Sequence, residues 1–149
     1  MVKRTKRMQF LAGVAKNSEH KAARTLAEKQ QQLQQQRDRL QELLSYREEY
    51  AVKFQKHGSV GLDVRRLNEY RSFLEKLNLA IEQQRQRINQ VSGECHVYQE
   101  HWVTTRIHSK AVDKVVDRFQ RQDLREEDSR EQNELDERAQ QLGLTRPKG

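Results

Sequence analysis

Sixteen residues between Leu67 and Phe119 recur at alternating steps of three and four: Leu67, Tyr70, Leu74, Leu77, Ile81, Gln84, Ile88, Val91, Cys95, Tyr98, Trp102, Thr105, Ser109, Val112, Val116 and Phe119. The average step is about 3.5 residues, the repeat that keeps one helix face turned toward a partner in a left-handed supercoil. A helix of this length can bury such a stripe only against another long helix.

A weaker stripe lies upstream. Leu26, Leu33 and Leu40 are seven apart, and the series continues through Leu43, Arg47, Tyr50 and Phe54. Gln30 and Arg37, between the leucines, are polar, so this helix is expected to pack loosely before residue 40 and firmly after it. KHGSVG, residues 56–61, separates the stripes with two glycines and a serine, and Asp63 can cap the second helix. Gly58 and Gly61 can both take the backbone angles a reversal needs. The expected fold is therefore all-α, a single-domain antiparallel two-helix coiled-coil hairpin. Its parts are a helix over 10–56, a turn over 57–62, a helix over 63–140 and a flexible tail over 141–149, with Gly143 and Pro147 as stop signals.

The arms are unequal, about 70 Å and about 115 Å at 1.5 Å per residue. Folding back near residue 58 pairs the first helix with the second up to about residue 105. Val112, Val115, Val116 and Phe119 are then left on an overhang, as a partner site or a cause of self-association. Phe10, Leu11 and Val14 are expected to reach back toward Trp102.

Composition agrees with a thin helical fold. Only 34% of the 149 residues are hydrophobic and the mean hydropathy is −1.14, while one proline and six glycines leave long helical runs uninterrupted. Disorder fits less well, because the apolar residues are few but regularly placed. The net charge of +7 is unevenly spread: residues 1–16 carry Lys3, Arg4, Lys6, Arg7 and Lys16 with no acid, whereas residues 117–138 hold nine acids and five arginines. Clustered bases attract phosphate, but no zinc-finger spacing, RRM-like aromatic motif or short helix-turn-helix accompanies them, so nucleic acid is not an expected partner. MVKRTKRMQFLAGVAK starts like a signal n-region, yet its apolar part, MQFLAGVA, is too short for a secretory core or a membrane span. A soluble cytosolic protein is expected, with membrane contact by a basic amphipathic first turn as the lesser reading.

The residue types that carry chemistry are present without the spacing that would use them. Cys95 is alone, so neither an intrachain disulfide nor a thiolate cluster can form. His96, His101 and His108 are separated by five and seven residues, not by the four of a helical zinc pair, and HExxH is absent. Cys95 and His96 are neighbours, which on a helix diverge by about 100°. GSVG lacks the GK[ST] of a phosphate loop. No catalysis, cofactor, metal or small-molecule substrate is expected.

LLSYREEY, residues 43–50, is the unusual stretch. Leu43, Tyr46, Tyr50 and Phe54 follow one another at steps of three or four, as do Phe73, Leu77, Ala80 and Gln84 on the other helix. Antiparallel pairing about residue 59 sets 43–50 opposite roughly 68–75. A two-helix seam needs two apolar positions per heptad, but here Leu43 is joined by Leu44 and Tyr46, and Tyr70 by Phe73. The surplus implies a third surface for another subunit or a partner, where a tyrosine buries its ring and keeps its hydroxyl at a wet edge.

With MQFLAGVA at 8–15, HKAARTLAEKQQQLQQQRDRLQELLSYREEY at 20–50, a glycine-containing turn and RRLNEYRSFLEKLNLAIEQQRQRI at 65–88, the chain resembles the FliJ family, small coiled-coil proteins of the flagellar type III export apparatus. The pairing of LxxYxxEY at 43–50 with FLEKLxxAIEQQ at 73–84 is more specific than heptads alone. The resemblance implies an antiparallel helical rod similar to the central stalk of rotary ATPases. It implies an adaptor that enters the hexameric export ATPase ring, promotes its assembly and activity, contacts the cytoplasmic domain of the export-gate membrane protein and escorts export chaperones. Such a protein would work in the cytoplasm and peripherally at the inner membrane beneath the flagellum. The gate-facing set would be Leu43, Tyr46, Tyr50, Phe73, Leu77 and Ala80, flanked by Arg39 and Gln84. The ring contact is expected on Lys3, Arg4, Lys6 and Arg7 with Val112, Val116 and Phe119. Two other readings stand beside this one: a scaffold coiled coil dimerising through 106–120, and a basic coiled-coil nucleic-acid binder. Neither explains the two aligned aromatic groups near the turn.

Overall fold

The computed structural model describes residues 2–58, 61 and 63–145. Two long helices, α1 (Val2–Gly58) and α2 (Val64–Thr145), contact each other as an antiparallel hairpin. The chain divides into a hairpin unit, Ala22–Trp102, and a terminal unit made of Met1–Lys21 and Val103–Gly149.

In the hairpin unit every member of the α2 stripe from Leu67 to Trp102 is buried or half-buried. Leu77, Ile81, Gln84 and Cys95 are the buried ones, facing a seam on α1 in which Ala22 and Leu26 are buried. That α1 seam reads Ala22, Leu26, Lys29, Leu33, Gln36, Leu40, Leu43, Arg47, Tyr50 and Phe54, again in steps of three and four. Gln30 and Arg37, expected between the leucines, are exposed instead. The leucines sit at the start of each three-four pair, so the intervening seam position falls three residues after them, at Lys29 and Gln36. Lys29 occupies its position by laying its stem along the seam. Its Nζ lies 3.4 Å from Glu94 Oε2 and 5.4 Å from the centre of the Tyr98 ring.

At the reversal, Gly61 has φ +88° and is the only described residue with positive φ. Its N–H donates to the Gly58 carbonyl at 3.4 Å, and the Asp63 carbonyl accepts from the Leu67 N–H at 3.1 Å to open α2. Gly61 alone takes the left-handed backbone angle, and Gly58 is simply the last residue of α1. Ser59, Val60 and Leu62 of the expected turn lie outside the described residues.

The terminal unit departs furthest from expectation. α1 begins at Val2, not near residue 10, because Thr5, Met8, Ala12, Ala15 and Glu19 carry the heptad back to its start, with Thr5 and Ala15 buried. α2 therefore does not overhang from residue 106. Ser109 is 1% exposed, Val112, Val116 and Phe119 are half-buried, and direct contacts reach Gln122 and Asp123. Small and weakly polar side chains fill this stretch of seam, so hydropathy gave it little weight. Phe10, Leu11 and Val14, expected to pack, are 72%, 49% and 51% exposed and face outward. α2 continues through Gly143 to Thr145, the single glycine costing too little to stop it, and every residue from 127 to 143 is exposed. Pro147 lies outside the described residues. No helix among the described residues is long and apolar enough to cross a membrane.

Candidate partner-binding surfaces

Four ring contacts join the helices next to the turn. Tyr50 stacks on Tyr70 at 5.3 Å between centroids and lies tilted over Phe73 at 4.3 Å. Phe54 stacks on Tyr70 at 3.8 Å, and Tyr46 meets Phe73 edge-on at 5.7 Å. The expected apposition of 43–50 with 68–75 is thus present, and the cluster also includes Phe54.

The six residues expected to face a gate separate into two kinds. Leu43, Tyr50 and Leu77 belong to the seam, Leu77 at 7% exposure. Tyr46, Phe73 and Ala80 lie one position off it: 73 and 80 are seven apart, and the Tyr46–Phe73 contact places them on the same flank of the hairpin unit. Arg39, seven before Tyr46, is exposed on that flank. Gln84 is not a flanking residue. It is 6% exposed, and its Nε2 donates to both the backbone carbonyl and the Oε1 of Gln36, each at 2.8 Å. Its amide nitrogen is engaged within the chain. On the opposite edge, Arg47 extends from the seam to donate to Asn78 Oδ1 at 3.1 Å.

The basic residues of the terminal unit also divide. Arg4 covers the end of the seam, its guanidinium 3.9 Å above the Phe119 ring and its Nη2 donating to Gln122 Oε1 at 2.6 Å. The Thr5 hydroxyl donates to Asp123 Oδ2. No acid lies in the first turn of α1, so Asp123 brings a carboxylate from α2 to that positive helix end. Hydrogen bonds from the chain's amino group and from Thr5 hold the Asp123 carboxyl below its ordinary value. Lys3, Lys6 and Arg7 are exposed, whereas Val112, Val116 and Phe119 line the seam beneath α1.

Across this whole span, residues 5–148 match the family model described as the flagellar FliJ protein. The chain belongs to the FliJ family. It is 28% identical over 137 residues to the flagellar FliJ protein of Escherichia coli (strain K12), covering 92% of this chain and 93% of that one. It is 26% identical over 140 residues to the flagellar FliJ protein of Salmonella typhi, covering 94% and 95%. No solved structure gives a significant match.

In this FliJ-family chain Cys95 is buried in the seam, while His96 is exposed with its Nε2 3.0 Å from Glu100 Oε1, so the neighbours have different surroundings. Among the described residues no three His, Cys, Asp or Glu side chains gather to hold a metal ion. Sequence reading missed the seam roles of Lys29 and Gln36, and gave Gln84 a flanking role beside its place in the stripe. The signal was present in strict three-four phase, but the positions between the α1 leucines were read one residue late, at Gln30 and Arg37.

Proposed function

We propose that this FliJ-family chain is a non-catalytic coupling component of flagellar type III export. It works at the cytoplasmic face of the inner membrane, binding the export ATPase ring, the cytoplasmic domain of the export-gate protein and export chaperones. The observation that carries the reading is the flank of Tyr46, Phe73 and Ala80. Tyr46 stays 50% exposed beside a seam already filled by Leu43, Tyr50, Tyr70 and Leu77. An aromatic pair half outside a complete core is surface for a partner. Arg39 extends that surface, and Leu43, Tyr50 and Leu77 hold it rigid from behind. A chain of this kind acts on a ring's chemistry by binding two of its states unequally.

For the ring, Lys3, Lys6 and Arg7 supply exposed positive charge, and Val112, Val116 and Phe119 support it by fixing α1 in place. The test is stimulation of the flagellar export ATPase by the purified full-length protein and by its Lys3→Glu, Lys6→Glu, Arg7→Glu variant. Loss of stimulation with helix content kept supports the ring contact; equal stimulation at low salt overturns it. For the gate, Tyr46→Ala with Phe73→Ala is expected to weaken binding to the gate's cytoplasmic domain, and unchanged affinity overturns that assignment.

A further inference from the structure

Over residues 2–18 the hydrophobicity of α1 is turned outward. The seam takes Thr5, Met8, Ala12 and Ala15, while Phe10, Leu11 and Val14 stand exposed on the far side. A helix made only to pair with α2 has the reverse arrangement. Lys3 and Arg7 share the outward face of Phe10 and Val14, following at steps of four, three and four, and the stretch carries five bases and no acid.

The charges of α2 are sorted by edge. The Arg4–Gln122 hydrogen bond sets both residues on one edge of the terminal unit. Leu11 lies seven after Arg4 on that edge, with Arg7 and Val14 three beyond each. The α2 positions on the same edge step by four and three from Thr104 through Val115, Arg118, Gln122 and Arg125 to Gln132, and none is an acid. The opposite edge steps likewise from Val103 to Glu134 and holds Asp113, Asp117, Glu127, Glu131 and Glu134. Lys114 and Arg121 adjoin Arg118 and Arg125 on the outer side of α2, Arg121 holding Asp117 at 3.1 Å.

We propose that this acid-free edge lies directly on an anionic lipid bilayer, with Phe10, Leu11 and Val14 inserted at the boundary of headgroups and acyl chains and Arg7, Arg118 and Arg125 on the lipid phosphates. A small projecting apolar cluster ringed by charge of one sign matches a fluid sheet of anionic headgroups, which supplies both environments without a fixed register. The inserting residues lie further along α1 than the basic first turn, where Arg4 is held on Phe119 and Gln122 and Thr5 on Asp123. An acidic protein helix is the weaker occupant. Along the groove between α1 and α2 it would face Arg4, Leu11 and Ser18, and His108, Val115 and Gln122, which are apolar in a single heptad. A third helix of a coiled coil needs apolar positions in every heptad.

The lipid contact does not rest on the export reading, and its test needs no other protein. The full chain should co-sediment with vesicles containing phosphatidylglycerol and stay in solution with phosphatidylcholine alone, and about 0.5 M salt should release most of it. Arg118→Glu with Arg125→Glu should weaken binding roughly thirtyfold or more. Phe10→Gln, Leu11→Gln, Val14→Gln should weaken it roughly tenfold or more, each variant keeping its helix content. Lys16→Glu with Lys110→Glu makes the same change in net charge on the opposite edge and should stay within about threefold of wild type. Trp102 is the chain's single tryptophan, so Phe10→Trp in a Trp102→Phe background should report insertion as a blue shift of emission on anionic vesicles. No binding to those vesicles, equal weakening by the two charge-reversed variants, or an unshifted emission would overturn the proposal. A chain that binds polyglutamate and ignores the vesicles would overturn it too, assigning the edge to an acidic protein.

Discussion

The Gln84 side chain crosses the seam of the hairpin unit and donates to Gln36 twice, at 2.8 Å to its carbonyl and 2.8 Å to its amide oxygen, with only 6% of the residue exposed. A buried polar layer of this kind costs stability relative to packed aliphatics, and it fixes which residues may face each other, because a slipped register leaves amides unpaired. Gln84→Leu alone strands Gln36 and should lower stability by about 1–2 kcal/mol. Gln36→Leu combined with Gln84→Leu should melt above the single variant. Thermal denaturation followed by circular dichroism decides, and a single variant that melts above wild type would show that the layer has no pairing role.

The two tyrosines of LLSYREEY should behave differently. Tyr50 is half-buried against Tyr70 and Phe73, so Tyr50→Ala should cost about 2–4 kcal/mol through lost ring packing. Tyr46 is half outside, and Tyr46→Ala should cost about 1 kcal/mol or less. Urea denaturation of each variant separates core from surface directly. Equal losses would remove Tyr46 from the surface class.

Ser109 is the most buried side chain described, in a stretch of seam built from Thr5, Ala12, Ala15 and Thr105. The larger Ser109→Leu should destabilise the terminal unit by about 1–3 kcal/mol through overpacking, although leucine is the better coiled-coil residue elsewhere. Amide exchange of residues 4–15 should accelerate in that variant while exchange near Ile81 stays slow.

Gly93 lies inside α2 with open space where a Cβ would stand. Gly93→Ala should therefore raise stability by about 0.5–1 kcal/mol, the difference in helix propensity with no steric penalty. A melting temperature that falls would reveal a neighbour that needs the gap.

The Asp123 carboxyl is held below its ordinary value by hydrogen bonds from the chain's amino group and Thr5. A carboxyl depressed in the folded state adds stability above its unfolded value, near 3.8, and loses it as pH falls through the folded value. The first turn of α1 should then fray in acid below about pH 4 while the ring cluster near the turn stays intact. In Asp123→Asn that acid-linked step should vanish; its persistence would assign the step to another carboxyl.

The hairpin was legible because long apolar stripes in a three-four rhythm permit few alternatives, and the apposition of Tyr46 and Tyr50 with Tyr70 and Phe73 follows from the turn position alone. The start of α1 was not, because Thr5, Ala12 and Ala15 bury little area each and their rhythm is invisible on a hydropathy scale. The Lys29 and Gln36 layers were misplaced by one residue for a related reason. A long polar side chain can occupy a seam by sending its head to the edge or to a partner amide, and composition cannot show which. The aromatic surface needed structure to divide, since residues one position apart on a helix point about 100° apart while looking alike in sequence.

The Thr5–Asp123 contact joins residues 118 positions apart in the chain. Closing a hairpin from its turn adds each heptad at little entropic expense, so this pair is the last to form and the first to open. Unzipping by a turn or two at that end leaves the ring cluster and the Gln36–Gln84 layer untouched. The topology thus sets the longest loop closure at the terminal end, where a partner that grips the chain pulls on the contacts formed last.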